Sequence, residues 1–293
     1  MAKANIYQSY SMVNALSRFA DVNWYRGFNK FKDLDSNPRI KQLRMFNLGG
    51  LNSKYSLIEK VSRAIFCMHT LIHLKTSKVD KIFTRDFGFI YFYSKVPSWL
   101  RCKADLIYES HKIMHKVSEK VSQFQERKSY QNVQLFICVS YGIKKDLQHD
   151  FQIVDESILL VPNGFDPALF PSQFIEKVED NALQFVYAGS FEQWKGVETI
   201  LEAAIFGVSS NTQIHIVGGT EEDHDKLCQN QSIKSPYPVN FHTSLERKKL
   251  FQLYSKMTVG IVSTIPIQEG EKYTSPIKFF EYVNAGLLVL SSD

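Results

Sequence analysis

Two segments of this chain carry the residue types that hold anions. They are Tyr187-Ala-Gly-Ser-Phe-Glu-Gln-Trp-Lys-Gly196 and Thr274-Ser-Pro-Ile-Lys-Phe-Phe-Glu-Tyr-Val-Asn-Ala-Gly286. Each follows an apolar, strand-like run and opens a helix. A strand-to-helix turn leaves backbone N–H groups unpaired, and the helix dipole adds partial positive charge, so anions settle there readily. Gly189 permits close backbone approach, because a residue without Cβ lets the chain crowd a ligand. Lys195 and Lys278 add two cations, and Glu281, one helical turn after Lys278 on the same face, adds one carboxylate. The combination suits a nucleotide diphosphate.

The elements that must position these groups alternate along the chain. Residues 5–19 read as a helix, Asp21–Tyr25 and Gln42–Asn47 as strands, and residues 53–76 as a long amphipathic helix opened by Ser53. Lys81–Thr84, Asp105–Tyr108 and Leu135–Val139 read as short buried strands with helical stretches between them. Residues 162–181 break the periodicity with three prolines and a polar tail. The alternation then restarts: strand Leu183–Tyr187, helix 196–205, strand Gln213–Val217, helix 222–230, strand Val239–His242. It closes with helix 246–255, strand Thr258–Val262, helix 275–285 and strand Leu287–Leu290. Strands alternating with helices predict parallel, doubly wound sheets. The expected division is an N-terminal domain at 1–165, a linker at 166–181 and a C-terminal domain at 182–293. The chain opens on a helix-like stretch and ends at Asp293 straight after a strand, so the expectation is an α/β protein cut at both ends.

Composition narrows the class. At 293 residues with 44% apolar content, a packed globular core is expected rather than disorder. No stretch reaches the roughly 18 uncharged apolar residues needed to span a bilayer, and the N-terminus lacks a signal pattern. Cys67, Cys102, Cys138 and Cys228 show no zinc or disulfide spacing and read as buried, reduced thiols. Charge is uneven. Residues 1–150 hold 25 Lys and Arg against 12 Asp and Glu, whereas residues 151–293 hold 10 against 18. A basic first half suits an anionic membrane surface or a phosphate-bearing partner, and equally a solvated face. No aromatic-lined basic motif for nucleic acid occurs, nor a G-x-G-x-x-G turn for a nicotinamide cofactor.

Five blocks in register carry a resemblance to the GT-B glycosyltransferases, specifically glycosyltransferase family 4. Cys138-Val-Ser-Tyr-Gly-Ile-Lys-Lys-Asp-Leu147 looks like the family's V-S-x-x-x-K-x-x-L helix start. Leu160-Val-Pro-Asn-Gly-Phe-Asp-Pro-Ala-Leu-Phe170 looks like its I-P-N-G-V-D-x-x-x-F block. Val186-Tyr-Ala-Gly-Ser190 through Lys195-Gly196 resembles its phosphate-binding turn. Ile216-Val-Gly-Gly219 with Val239-Asn-Phe-His242 follow in order, and Ser275-Pro-Ile-Lys-Phe-Phe-Glu-Tyr282 resembles a variant written S-P-x-K-x-F-E-Y. The resemblance implies two Rossmann-like domains facing a cleft, here without the first strand and the C-terminal elements. It implies metal-independent, retaining transfer of a hexose from a UDP- or GDP-sugar to a glycan or lipid-linked acceptor, in surface polysaccharide or glycolipid synthesis. It requires no cofactor beyond that donor substrate. The leaving diphosphate would be stabilised electrostatically.

By the same resemblance Lys195 takes the phosphate charge, Gly189 and Ser190 bring backbone to the diphosphate, and Glu281 holds the ribose hydroxyls. Thr243, Ser244 and Leu245 would lie against the base, and Thr274 and Ser275 would donate to phosphate oxygens. The sequence departs from the pattern twice. Ser190 stands where many relatives have an arginine, with Lys278 as its substitute, and Tyr273 stands where the family's first glutamate is expected. Leu106-Ile-Tyr-Glu-Ser-His111 ends a strand with Glu109 and His111, at the sheet edge where open α/β folds bind ligands. His111 has two readings, orienting the donor or taking the acceptor's proton, or a structural hydrogen bond near a helix start. Thr84-Arg-Asp86, after another strand, resembles a family motif that shapes the acceptor cleft, with packing as the other reading.

The i,i+4 pairs His111/His115 and His69/His73 lack the further ligand and glutamate of a metal site, so no metal is expected. Helix 53–76 with residues 112–128 offers basic and apolar groups for peripheral membrane contact, or an ordinary core-facing helix. The implied location is cytoplasmic, at the inner face of a membrane. The competing function is a weakened GT-B protein that binds sugar nucleotide or a partner without turnover. A sugar-nucleotide epimerase of the same fold ranks lower, because such enzymes lack the S-P-x-K-x-F-E-Y block.

Overall fold

The computed structural model describes residues 4–26, 38–44, 56–164, 183–206, 211–230, 239–267 and 272–292. Ser53, residues 45–47 and the expected linker 166–181 lie outside them. The chain divides into two compact units: Met1–Cys138 with Asp146–Leu159, and Val139–Lys145 with Leu160–Asp293.

In the first unit, α1 (Ala4–Leu16) precedes a parallel pair, β1 (Val22–Arg26) and β2 (Ile40–Arg44). α2 (Ser56–Thr76) leads to a four-stranded sheet in the order β3 (Lys81–Thr84), β4 (Asp105–Ser110), β5 (Leu135–Cys138), β6 (Ile158–Leu160). α3 (Phe87–Lys95), α4 (Met114–Val117), α5 (Gln123–Tyr130) and α6 (Tyr141–Phe151) make the connections, α6 crossing the boundary between the units. Local chemistry sets these starts. Asp86 caps α3 by accepting the Gly88 N–H at 2.8 Å, and Ser122 with Gln125 forms a reciprocal capping box on α5.

β4 is buried along most of its length, with Leu106, Tyr108, Glu109 and Ser110 nearly inaccessible. Polar residues survive there only with partners, because an unpaired buried charge is costly. Glu126, wholly buried on α5, shows the same rule. Its two oxygens accept the Met114 and His115 N–H groups at 2.8 Å and so fix the loop that follows β4.

The second unit is a five-stranded parallel sheet. Its strands are β7 (Leu183–Ala188), β8 (Thr212–Val217), β9 (Val239–His242), β10 (Val259–Val262) and β11 (Leu288–Ser291), in the order β11-β10-β7-β8-β9. α7 (Val197–Phe206), α8 (Glu221–Asn230), α9 (Arg247–Tyr254) and α10 (Ile277–Asn284) connect them. Because strand side chains alternate, β7 sends Val186 and Ala188 into one layer with Phe251, Tyr254 and Tyr282. Tyr187 goes into the other layer with Val197, Leu201 and Ile216. Strand order reverses between β7 and β10. Ligands of doubly wound sheets bind outside the carboxyl ends of the strands at such a point.

The structure shifts a few boundaries for identifiable reasons. α10 begins at Ile277, not 275, because the residue before a proline is pushed to extended backbone and Pro276 becomes the N-cap. Thr274 and Ser275 therefore precede the helix. Cys228 is exposed on α8 rather than buried, while Cys67 and Cys138 are buried. Among the described residues, no helix is long and apolar enough to cross a membrane.

Candidate functional site

In the second unit, β7 ends at Ala188 and the chain turns through Gly189 and Ser190. The Tyr187 hydroxyl donates to the Ser190 carbonyl at 2.7 Å, which pins the turn. A Cβ on Gly189 would meet that hydroxyl at 2.7 Å. The tighter constraint lies at Gly218, whose φ is +140° and whose Cβ would stand 1.8 Å from the Gly189 carbonyl oxygen. Within the chain, this is a backbone-to-backbone approach of two turns. Only glycine permits it.

Lys195 sits in a short 3-10 turn, Gln193–Lys195, which Gly196 ends in the left-handed region at φ +60° before α7 begins. Its carbonyl accepts the Ser263 hydroxyl at 2.5 Å, tying this turn to the end of β10. The ammonium lies 3.7 Å from the centroid of the Trp194 ring and makes no ion pair among the described residues. Burial lowers its pKa to about 8; Glu192 opposes that shift and Lys278 adds to it. Lys195 is thus a cation short of an anion.

Glu281 is not a solvated helix carboxylate: it is 7% exposed. Lys278 Nζ lies 2.6 Å from its Oε2, and Arg247 Nη2 lies 3.9 Å from its Oε1. The buried Tyr254 hydroxyl donates to Oε2 at 3.4 Å. Lys278, assigned from sequence to phosphate, therefore rests on Glu281 in the free protein. Arg247 and Tyr254 escaped the sequence reading. Their only signal was position, at the two ends of the helix after the Thr243–Leu245 segment. The neighbouring Tyr282 hydroxyl accepts the Ala188 N–H at 2.9 Å. Gly260 makes room for its ring, since a Cβ there would come within 2.3 Å of it.

Ser275 Oγ accepts the Asn163 N–H at 2.8 Å, which leaves its own proton available to donate. Tyr273, at the register of the expected first glutamate, is 4% exposed. Thr243 and Ser244 are exposed after β9, and Leu245 packs on the core. Beneath them runs a polar chain that the sequence did not suggest. His242 Nε2 lies 3.0 Å from His215 Nδ1, and His215 Nε2 lies 3.1 Å from Gln184 Oε1. Burial, with His242 alongside, lowers the His215 pKa to about 4. The second unit also holds a cavity of about 300 Å³ lined by Phe185, Ile200, Ala204, Ile214, Ile261 and Leu290. It is apolar, so it is not where an anion would sit.

The first unit carries a separate cluster at the ends of β3 and β4. His111 Nε2 lies 2.6 Å from Glu109 Oε1 and 2.6 Å from Arg85 Nη2. Arg85 Nε lies 3.1 Å from the same Glu109 oxygen. Burial pushes the Arg85 pKa down and Glu109 pulls it back up. Arg85, noted from sequence only as part of a motif, is therefore part of this cluster. The paired histidines find other partners: His115 Nδ1 lies 2.8 Å from Glu126, and His73 Nδ1 lies 2.9 Å from the Tyr25 hydroxyl. Among the described residues, no group of three His, Cys, Asp or Glu could hold a metal ion.

Two parallel, doubly wound sheets in succession define a Rossmann-like α/β protein. Comparison with solved structures gives the fold its name. A lipopolysaccharide outer core galactosyltransferase, WaaB, superposes with a TM-score of 0.66 at 17% identity, over 98% of this chain and 76% of its own. Sucrose-phosphate synthase from Thermosynechococcus elongatus gives 0.73 at 16%, over 99% and 75%. Anabaena HepE, solved with UDP and glucose, gives 0.62 at 15%, over 97% and 76%. This chain has the GT-B fold that these glycosyltransferases share. No protein-family model and no curated protein matches its sequence.

Proposed function

We propose that this chain is a retaining, metal-independent hexosyltransferase. It would take a sugar from a UDP- or GDP-sugar and pass it to a glycan or lipid-linked acceptor in surface polysaccharide or glycolipid synthesis. The observation that carries this reading is the partly buried Lys195, without an ion pair among the described residues, beside the strand reversal of a GT-B fold. A diphosphate would supply the missing anion. Ser275 and the backbone of Gly189 and Ser190 would contact phosphate oxygens. Ribose hydroxyls would take over Glu281 Oε2, releasing Lys278 toward the phosphates. Thr243, Ser244 and Leu245 would border the base.

His111 would serve the acceptor side. A thermal-shift panel of UDP, GDP, ADP and their sugars tests this, with Glu281→Ala as control. One nucleotide should stabilise the folded protein and lose that effect in the variant. No shift with any nucleotide would sink the reading. Tyr273 at the glutamate register favours a second reading, a GT-B protein that binds sugar nucleotide without turnover. Binding without release of nucleotide from any donor sugar would select it.

The acceptor's setting is read from α2. Cys67, Leu71 and Leu74 face the core, while Val61, Ile65, Met68 and Ile72 form a second, exposed apolar stripe at helical spacing. In a strongly basic first unit, this stripe fits peripheral contact with an anionic membrane, at its cytoplasmic face. Co-sedimentation with anionic vesicles that fails with neutral ones, and with Ile65→Glu/Ile72→Glu, is the expected result.

A further inference from the structure

The loop before α10 is held from two distant places, both within the second unit. Ser140, just before α6, donates its hydroxyl to the Lys272 carbonyl at 2.7 Å, across 132 positions of sequence. Gly142 lets the first turn of α6 press on the loop, because a Cβ there would stand 2.3 Å from the Lys272 carbonyl oxygen. At the other end, Asn163 makes two hydrogen bonds to one residue 112 positions away. Its backbone N–H donates to Ser275 Oγ at 2.8 Å, and its Nδ2 donates to the Ser275 carbonyl at 2.7 Å. The side-chain amide has one useful orientation here, because a carbonyl oxygen only accepts and would repel Oδ1.

The two serines differ in what they have left to give. A hydroxyl carries one proton and two lone pairs. Ser140 uses its proton on Lys272 and a lone pair on the Ile143 N–H at 3.4 Å. Ser275 accepts from Asn163, and among the described residues its proton meets no acceptor. Pro276, the N-cap of α10, gives that helix no side-chain cap. The unspent Ser275 donor therefore stands beside a helix end that already favours an anion.

We propose that Asn163 is a positioning residue for the diphosphate of the donor, acting through Ser275 and not by contact with the ligand. It occupies a lone pair of Ser275 Oγ and holds the Ser275 peptide in place. The hydroxyl proton is left one task, donation to a phosphate oxygen. This rests on the reading of Ser275 as a phosphate donor.

The first test needs no ligand and no Asn163 variant. In hydrogen exchange followed by NMR on the full chain, the Asn163 backbone amide should be protected, and Ser275→Ala should remove most of that protection. Exchange at equal rates in the native protein and Ser275→Ala would overturn the proposal. The second test is a double-mutant cycle on UDP and GDP binding, read by calorimetry. Asn163→Ala and Ser275→Ala should each weaken binding about tenfold, the upper range for one hydrogen bond. The double variant should also lose only about tenfold, because both changes break the same contact. A loss of roughly a hundredfold in the double variant, the product of independent effects, would overturn the proposal and leave Asn163 a role in fold stability. Unchanged affinity in Asn163→Ala would do the same. No binding of either nucleotide by the native protein would sink the diphosphate reading and this proposal with it, whereas binding with independent losses sinks the proposal alone.

Discussion

The clusters in the two units handle charge in opposite ways. In the second unit, Lys195 is a partly buried cation held over Trp194 with no carboxylate in ion-pair range among the described residues. In the first unit, His111 is held by both Glu109 and Arg85. A ligand site keeps an unmet charge, which a ligand can satisfy. A positioning site meets its charges internally, which fixes the orientation of one group. Glu281 lies between these cases, because its partner Lys278 is one that an incoming ligand can displace.

The strongest attack on this contrast is Gly218→Ala. The added methyl would collide with the Gly189 carbonyl at a φ unsuited to alanine. The expected loss is about 3 kcal/mol of stability, combining backbone strain with overpacking. Nucleotide stabilisation should vanish with it, and a normal melting curve would show that the turn is not rigid. Next is Lys195→Ala, which should weaken UDP or GDP binding by roughly 1.5–3 kcal/mol in calorimetry, the range of a charge-assisted hydrogen bond. His111→Ala should leave that affinity nearly intact while turnover falls. If both variants lost affinity equally, the contrast between the units would fail.

The pH dependence sharpens the point. With its pKa lowered to about 8, Lys195 is protonated below that pH and loses its charge above it. Nucleotide affinity should therefore be flat up to about pH 8 and fall at higher pH. Binding near pH 8 should take up protons, because the bound anion raises the lysine's pKa. The smallest expected effect concerns the Gln184–His215–His242 chain, a closed polar cluster inside the second unit. The folded pKa of His215, about 4, lies below its unfolded value, about 6.5. The unfolded chain binds the proton more readily in that window, so stability is full above pH 6.5 and is lost as pH falls toward 4. His215→Gln should flatten that slope in melting temperature.

Much of the fold was legible from the chain alone. Strand-like runs alternating with helices gave the parallel sheets, since the periods of 2 and 3.6 record which face each element buries. The turn after β7 and the block at Ser275–Tyr282 were legible for the same local reason: glycine, proline and charge at fixed offsets around a strand-to-helix junction. Tertiary structure alone decided who partners whom. Arg85 reaches His111 because β3 and β4 pair in parallel register and bring their carboxyl ends side by side. Gly260 is glycine because Tyr282, from a following helix, lies across it to accept a hydrogen bond from Ala188. Glu281, already paired with Lys278 on its own helix, also has Arg247 from another helix 3.9 Å away. Sequence spacing encodes which face of an element is buried, whereas a partner distant in sequence is fixed only when parallel strands and the helices over them close into a layer.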